Sequence, residues 1–237
     1  MTPDTQKDEN VLSIEELRKI FSVLTHDLRS PLFAIDGFST LLIDDVGETL
    51  SEENRDFLER IRGSARHMKE TIDGMNRIVK ILTKPLELEE TDLQDLVGQI
   101  WFRIRTDAEE KGITARISDD LPTARVDREK ISSAVTALME NAITFRNPDD
   151  RSPEVSVTAK RDDQGLRICV GDKGIGIEQN YVDQIFNPGI KLDREASEGP
   201  GYGLFLARRI AEIHGGHIDV ETSPGEGSTF CMVLPNA

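Results

Sequence analysis

Positive charge is scarce. The 237 residues hold 29 Lys and Arg against 44 Asp and Glu, a formal net charge of −15 at pH 7 with histidines neutral. So acidic a chain excludes a protein that tracks a nucleic-acid backbone, because replacing phosphate counterions needs a basic face. No local basic patch offsets the balance. Long apolar runs are missing too: none reaches the roughly 18 residues a membrane-spanning helix needs. The opening MTPDTQKDENVL is too polar for a signal peptide. Cysteine is nearly absent. Cys169 and Cys231 lie in apolar, strand-like runs without metal-ligand spacing, and are expected to be reduced core residues of a cytoplasmic protein. There is no internal repeat and no low-complexity segment.

What remains is a chain long enough for one large or two small domains. Hydrophobic residues at 37% against 31% charged suggest thin or elongated domains. The periodicity changes along the chain. Residues 12–84 read as two long helices. In the first, Leu17, Leu24, Leu28, Ile35 and Leu42 fall within about 20° of one line. In the second, Leu58, Ile61, Ala65, Met68, Ile72, Met75, Val79 and Leu82 alternate in steps of three and four, a heptad seam. Gly47 can stop the first helix, and Thr49 or Ser51 can cap the second. An antiparallel hairpin buries two such stripes poorly by itself. Pairing two hairpins into a four-helix bundle solves this, so a homodimer is expected. The alternative is that the hairpin packs on its own C-terminal domain. Pro85 ends the second helix, and residues 88–236 mix helical and strand patterns as a separate α+β sandwich.

His26 lies opposite the apolar stripe of its helix and is expected to face solvent. HDLRSP sets Asp27 beside it, Ser30 one turn on and Pro31 inside the helix. Proline in a helix interior costs about 3 kcal/mol and removes a backbone bond. A neutral imidazole becomes a nucleophile when a carboxylate holds the proton on one nitrogen and leaves the other free.

The second half carries residues suited to a nucleotide. GDKGIG sets Asp172 at a strand end, where it can accept from an exocyclic amine such as adenine's. Gly174 and Gly176 permit close backbone approach to a ligand. EGPGYGLFLARRI places Gly199, Gly201 and Gly203 directly before a helix, where backbone N–H groups and the positive helix end suit phosphates.

In order, HDLRSP, ENAITF, DKGIG and GPGYGL resemble the sensor histidine kinases of two-component signalling, and the resemblance spans about Val11 to Pro235. It implies a dimerisation and histidine-phosphotransfer hairpin followed by a Bergerat-type ATP-binding domain. His26 would then be the phosphoacceptor and Asp27 its acidic helper. Asn141 would bind Mg²⁺, Asp172 would hold adenine, and Gly174 and Gly176 would line the base pocket. Gly199, Gly201, Gly203 and the following Leu204 would border the phosphates and anchor a lid over about residues 187–198. ATP and Mg²⁺ are the implied cofactors. The implied partners are a second copy of the chain and a response-regulator receiver domain, with a sensor protein in trans if the chain is not a piece of a longer sensor.

Several positions depart from the family pattern. Ala137 replaces a frequent Asn four residues before Asn141, and Thr144 replaces a frequent Lys; Arg146 and Lys191 can supply positive charge instead. Gly189 replaces a lid aromatic, and Ser30 stands where Thr or Asn accompanies phosphatase activity. These changes predict a site that grips adenine normally and phosphates weakly. They also leave open a kinase-like scaffold or phosphotransfer protein. Gyrase-type hydrolysis needs a carboxylate where Ala137 stands, which argues against a hydrolytic ATPase.

Overall fold

The computed structural model describes residues 13–47, 49–163, 165–192 and 199–236. They divide into two compact units between Lys84 and Pro85.

The first unit is a helical hairpin of α1 (Ile14–Val46) and α2 (Glu52–Thr83). Ser13 caps α1 in a reciprocal box: its hydroxyl accepts the Glu16 N–H, and the Glu16 carboxylate accepts the Ser13 N–H. Ser51 caps α2 by accepting from Asn54 N–H, while the Thr49 hydroxyl donates to the Val46 carbonyl instead. Gly47 closes α1 at φ −56°, so the left-handed freedom expected of a glycine stop is not used there.

The seam splits by heptad position. Leu58, Ala65, Ile72 and Val79, seven apart, are buried or half-buried, whereas on the other line Ile61, Met68 and Met75 are exposed and only the last, Leu82, is half-buried. On α1 the buried line is Thr25, Leu32 and Ser39, also seven apart. The stripe read from sequence lies elsewhere: Leu24, Leu28, Ile35 and Leu42 are exposed on the single hairpin, and the side chain of Leu17 lies outside the described residues. One hairpin therefore leaves an aliphatic face of each helix uncovered.

The second unit is an α/β sandwich. A five-stranded sheet has the order β2 (Thr114–Ile117), β4 (Glu154–Asp162), β5 (Gly165–Asp172), β7 (Gly227–Leu234), β6 (His217–Ser223). It is antiparallel except where β2 runs parallel to β4. The helices are α3 (Leu93–Glu110), α4 (Arg128–Thr144) and α5 (Gly203–Ile213). Strand alternation sends Leu166, Ile168 and Val170 of β5 and Phe230, Met232 and Leu234 of β7 into the buried core, with Ile131, Leu138 and Ile210 of the helices. A separate ladder pairs β1 (Glu89–Asp92) with β3 (Thr123–Val126). Its first strand, EETD, has no apolar alternation and is invisible to a pattern reading.

Two charges are buried where α4 begins. Lys130 is 1% and Asp127 4% exposed, with Lys130 Nζ 3.0 Å from Asp127 Oδ2. Lys130 also donates to the Pro85 carbonyl, and Asp127 accepts from Glu87 N–H. The pair thus ties the first residues of the second unit, 85–87, to the start of α4. Burial opposes ionisation of Asp127, but the N–H groups of Lys130 and Glu87 and the Lys130 ammonium outweigh it and hold its pKa low.

One expectation fails outright. Cys169 and Cys231 are not reduced but form a disulfide, with Cα atoms 4.0 Å apart. The β5–β7 register sets them directly opposite one another, a relation between two distant runs that linear spacing does not reveal.

Candidate nucleotide and phosphoacceptor sites

On α1, His26 points to solvent as expected. Its Nδ1 lies 3.3 Å from Asp27 Oδ1, and the two side chains are 86% and 72% exposed. In the tautomer that donates from Nδ1, the Nε2 lone pair is available for attack. The flanking residues lock this turn onto α2. Thr25, 5% exposed, has its hydroxyl 3.1 Å from Asn76 Oδ1. Arg29 donates twice to Asp73 Oδ1, at 3.0 and 2.6 Å. The helix runs unbroken through Pro31, which leaves the Asp27 carbonyl without its usual intrahelical donor. The sequence reading missed Thr25, Arg29, Asp73 and Asn76. The only available signal was that Thr25 and Arg29 sit four apart, hence on one helix face.

In the second unit, Asp172 ends β5. Its Oδ1 accepts from Gly174 N–H at 2.7 Å and Ser228 N–H at 3.2 Å. Burial raises the Asp172 pKa, and those two donors only partly offset it. The carboxylate is therefore held with one oxygen engaged, in an environment that favours a donor at the other. Beneath it, the Thr222 and Ser228 hydroxyls are 2.9 Å apart and Thr222 accepts from Ile177 N–H.

Two of the glycines are required by packing within the protein. A Cβ on Gly174 would sit 2.2 Å from the Phe145 carbonyl, and one on Gly176 1.9 Å from the Ser223 carbonyl. The room that the missing Cβ leaves at each is taken up by the protein's own backbone. At Gly174 this joins the end of α4 to the end of β5, since Ile175 N–H donates to Phe145 and Arg146 bridges Gly174.

The phosphate-side residues converge on the start of α5. Tyr202 occupies the N-cap position and makes no capping bond, so the first-turn amides have no side-chain acceptor there. Gly201, at φ +75°, accepts from Gly189 N–H at 3.1 Å, and a Cβ there would meet the Lys191 side chain at 3.2 Å. Lys191 thus neighbours Gly201. Gly199, at φ +87°, has no atom of the described residues within 4 Å of a Cβ built there, and Leu204 is half-buried in the first turn of α5. Residues 193–198, most of the expected lid tip, lie outside the described residues. Gly203 faces Ala137: a Cβ on Gly203 would be 3.4 Å from that of Ala137. The helix carrying Asn141 and the helix start carrying the glycines are therefore adjacent. The Thr144 hydroxyl donates back to the Glu140 carbonyl at 2.8 Å.

A nucleotide fits this donor set: a carboxylate for an exocyclic amine, then uncapped amides with a nearby lysine for phosphates. Among the described residues no cluster of three or more His, Cys, Asp or Glu is arranged for a metal. Asn141, whose amide oxygen is a hard donor of the kind Mg²⁺ takes, is half-buried on α4. A separate groove of about 740 Å³ between α3 and α4, lined by Phe102, Arg103, Arg128 and Ser132, contains none of these residues.

The two units match two known domain families. Residues 16–83 match the His Kinase A phospho-acceptor domain, and residues 126–237 the histidine kinase-, DNA gyrase B- and HSP90-like ATPase domain. The chain belongs to the sensor histidine kinases and comprises their catalytic core. The phytochrome-like protein Cph1 of Synechocystis sp. is 29% identical over 221 residues, covering 93% of this chain and 29% of that protein. The sensor protein DivL of Caulobacter vibrioides is 31% identical, covering 93% and 28%. The adaptive-response sensory kinase SasA of Synechococcus sp. is 31% identical, covering 97% and 65%. Full-length ShkA, solved with AMPPNP, shares the fold with a TM-score of 0.66 at 24% identity, over 93% of this chain and 47% of that one. The chain spans 29%, 25% and 30% of the lengths of Cph1, FilI and cyanobacterial phytochrome B. Among the described residues no helix is long and apolar enough to cross a membrane.

Proposed function

We propose that this chain is a histidine autokinase that transfers the γ-phosphoryl group of ATP to His26, and from there to an aspartate of a response-regulator receiver domain. The observation that carries the reading is His26 itself, a solvent-facing imidazole whose Nδ1 rests on Asp27, in a chain that also carries the ATPase-type domain. Asp27 retains the Nδ1 proton, and Nε2 attacks the γ-phosphorus. The bond to the β–γ bridging oxygen breaks, and ADP leaves. Catalysis is positioning and charge neutralisation, as for phosphoryl transfer generally. Asp172 orients the base, the α5 amides and Lys191 meet the phosphates, and Arg146 adds charge near the end of α4. Bound Mg²⁺, with Asn141 as its protein ligand, would neutralise phosphate charge. Domains of residues 12–84 and 88–236 divide the work, with the chain near Pro85 as the hinge.

The exposed aliphatic faces of α1 and α2 support a homodimer that buries them in a four-helix bundle. Use of ATP favours a cytoplasmic location. Ala137 and Thr144 favour the second reading, a kinase-like scaffold with weak or no autokinase activity. Incubation with γ-labelled ATP and Mg²⁺ separates the two: acid-labile, base-stable label on the protein supports the kinase, and its absence supports the scaffold.

A further inference from the structure

We propose that Cys169–Cys231 is a thiol–disulfide exchange site, opened by a low-molecular-weight thiol, whose redox state sets the nucleotide affinity of the ATP-binding unit. The coupling rests on the nucleotide reading above. The cystine lies on the sheet face opposite the helices, since the residues alternating with it, Ile168 and Val170 on β5 and Phe230 and Met232 on β7, fill the core. Its two cysteines differ in exposure. Cys169 is half-buried, whereas Cys231 is only 7% exposed. Arg167, the preceding residue on that face of β5, reaches across β7 to Asp219 of β6 at 2.8 Å, and Asp219 pairs in register with Cys231. That ion pair spans the strand that carries Cys231.

Both strands run from the cystine to the adenine end of the site. Cys169 is three residues before Asp172, and Cys231 three after Ser228, whose N–H holds Asp172 Oδ1. Three strand residues span about 10 Å. The covalent link therefore pins the two strands whose ends hold the carboxylate. A disulfide in a compartment that contains ATP and thiols is commonly redox-active rather than permanent.

The exchange balances with two thiols. One thiolate bonds to Cys169 Sγ as the Cys169–Cys231 bond breaks, and Cys231 leaves with the electron pair and takes a proton from water. A second thiolate attacks the small-molecule sulfur of the mixed disulfide. That step releases the Cys169 thiolate and a small-molecule disulfide, two electrons having passed to the protein. The corresponding small-molecule disulfide reverses both steps.

The test uses the full chain, oxidised or treated with glutathione. Thiols are counted after denaturation, and a non-hydrolysable ATP analogue is titrated by calorimetry. Oxidised protein should show no free thiol and reduced protein two. Reduction should weaken the analogue by about fivefold through lost preorganisation, reversibly on adding glutathione disulfide. A Cys169→Ser/Cys231→Ser variant should show one affinity in both conditions. With glutathione disulfide, native Cys231→Ser should be modified at Cys169 about tenfold faster than Cys169→Ser at Cys231, because access governs attack. Two free thiols in the protein kept without reductant, equal affinity in both redox states, or equal modification rates would overturn the proposal. No analogue binding in either state would overturn the nucleotide reading and the coupling with it, while thiol counts and modification rates still judge the exchange site.

Discussion

Asp172→Asn should weaken nucleotide binding while making the empty protein more stable. Asp172 Oδ1 already accepts two backbone N–H groups, from Gly174 and Ser228. An asparagine would keep its own oxygen there, because only an acceptor satisfies those donors. Its amide nitrogen would then take the second position and oppose the adenine amine, donor against donor. Losing a hydrogen bond to a charged group costs about 1.5–3 kcal/mol, a fall in affinity of about 10- to 100-fold. Stability moves the other way. Burial raises the carboxyl above its ordinary 3.8, so the folded protein holds the proton more tightly than the unfolded chain. The stability from that protonated form is full below 3.8 and is lost as pH rises through the folded value. At pH 7 the ionised group is a burden that asparagine lacks. Urea unfolding of the apo protein should give a higher midpoint for the variant at pH 7, the advantage vanishing as pH falls toward 3.8. Calorimetric titration with a non-hydrolysable ATP analogue measures the affinity. Unchanged affinity, or a variant less stable at pH 7, would refute the reasoning.

His214 donates from Nδ1 to the Ile210 carbonyl and accepts the Asp127 N–H at Nε2, and burial lowers its pKa below the usual 6.5. Its contribution should be complete above about pH 6.5 and lost as pH falls through the folded value; His214→Gln should flatten that part of a stability–pH profile measured by urea unfolding. Lys130→Met would strand the Asp127 carboxylate in the interior, and breaking a buried pair in this way costs about 3–5 kcal/mol, read as a lower unfolding midpoint. Leu28→Glu with Leu42→Glu places charge on the exposed face of α1. Each buried leucine contributes about 1.5–3 kcal/mol, so four losses per dimer should weaken association at least about ten-thousandfold. Sedimentation should find a dimeric parent and a monomeric variant, and a monomeric parent would refute the bundle.

The long helices, the strand pair around residues 162–165 and the start of α5 were legible because their signals are local: apolar period, capping residues, and glycines before a helix. His26 and Asp172 were legible because HDLRSP and GDKGIG are contiguous. Whatever depends on pairing distant segments was not. The hairpin interface runs through Thr25 and Ser39, polar residues that an apolar-stripe reading passes over, so it lies off the leucine stripe. The Cys169–Cys231 disulfide follows from strand register over a separation of 62 residues. The buried Asp127–Lys130 pair looks like ordinary helix-start charge until Pro85 and Glu87 fold against it. Gly174 and Gly176 were singled out correctly as positions needing glycine, but the groups that crowd them are the Phe145 and Ser223 carbonyls.

The most direct test of the central claim is to incubate the full chain with γ-labelled ATP and Mg²⁺ and map the label. The account predicts one acid-labile, base-stable phosphoryl group on His26, absent from His26→Gln while that variant still binds the nucleotide. Label that persists in His26→Gln, or that disappears only when His67, His214 or His217 is replaced, would contradict it.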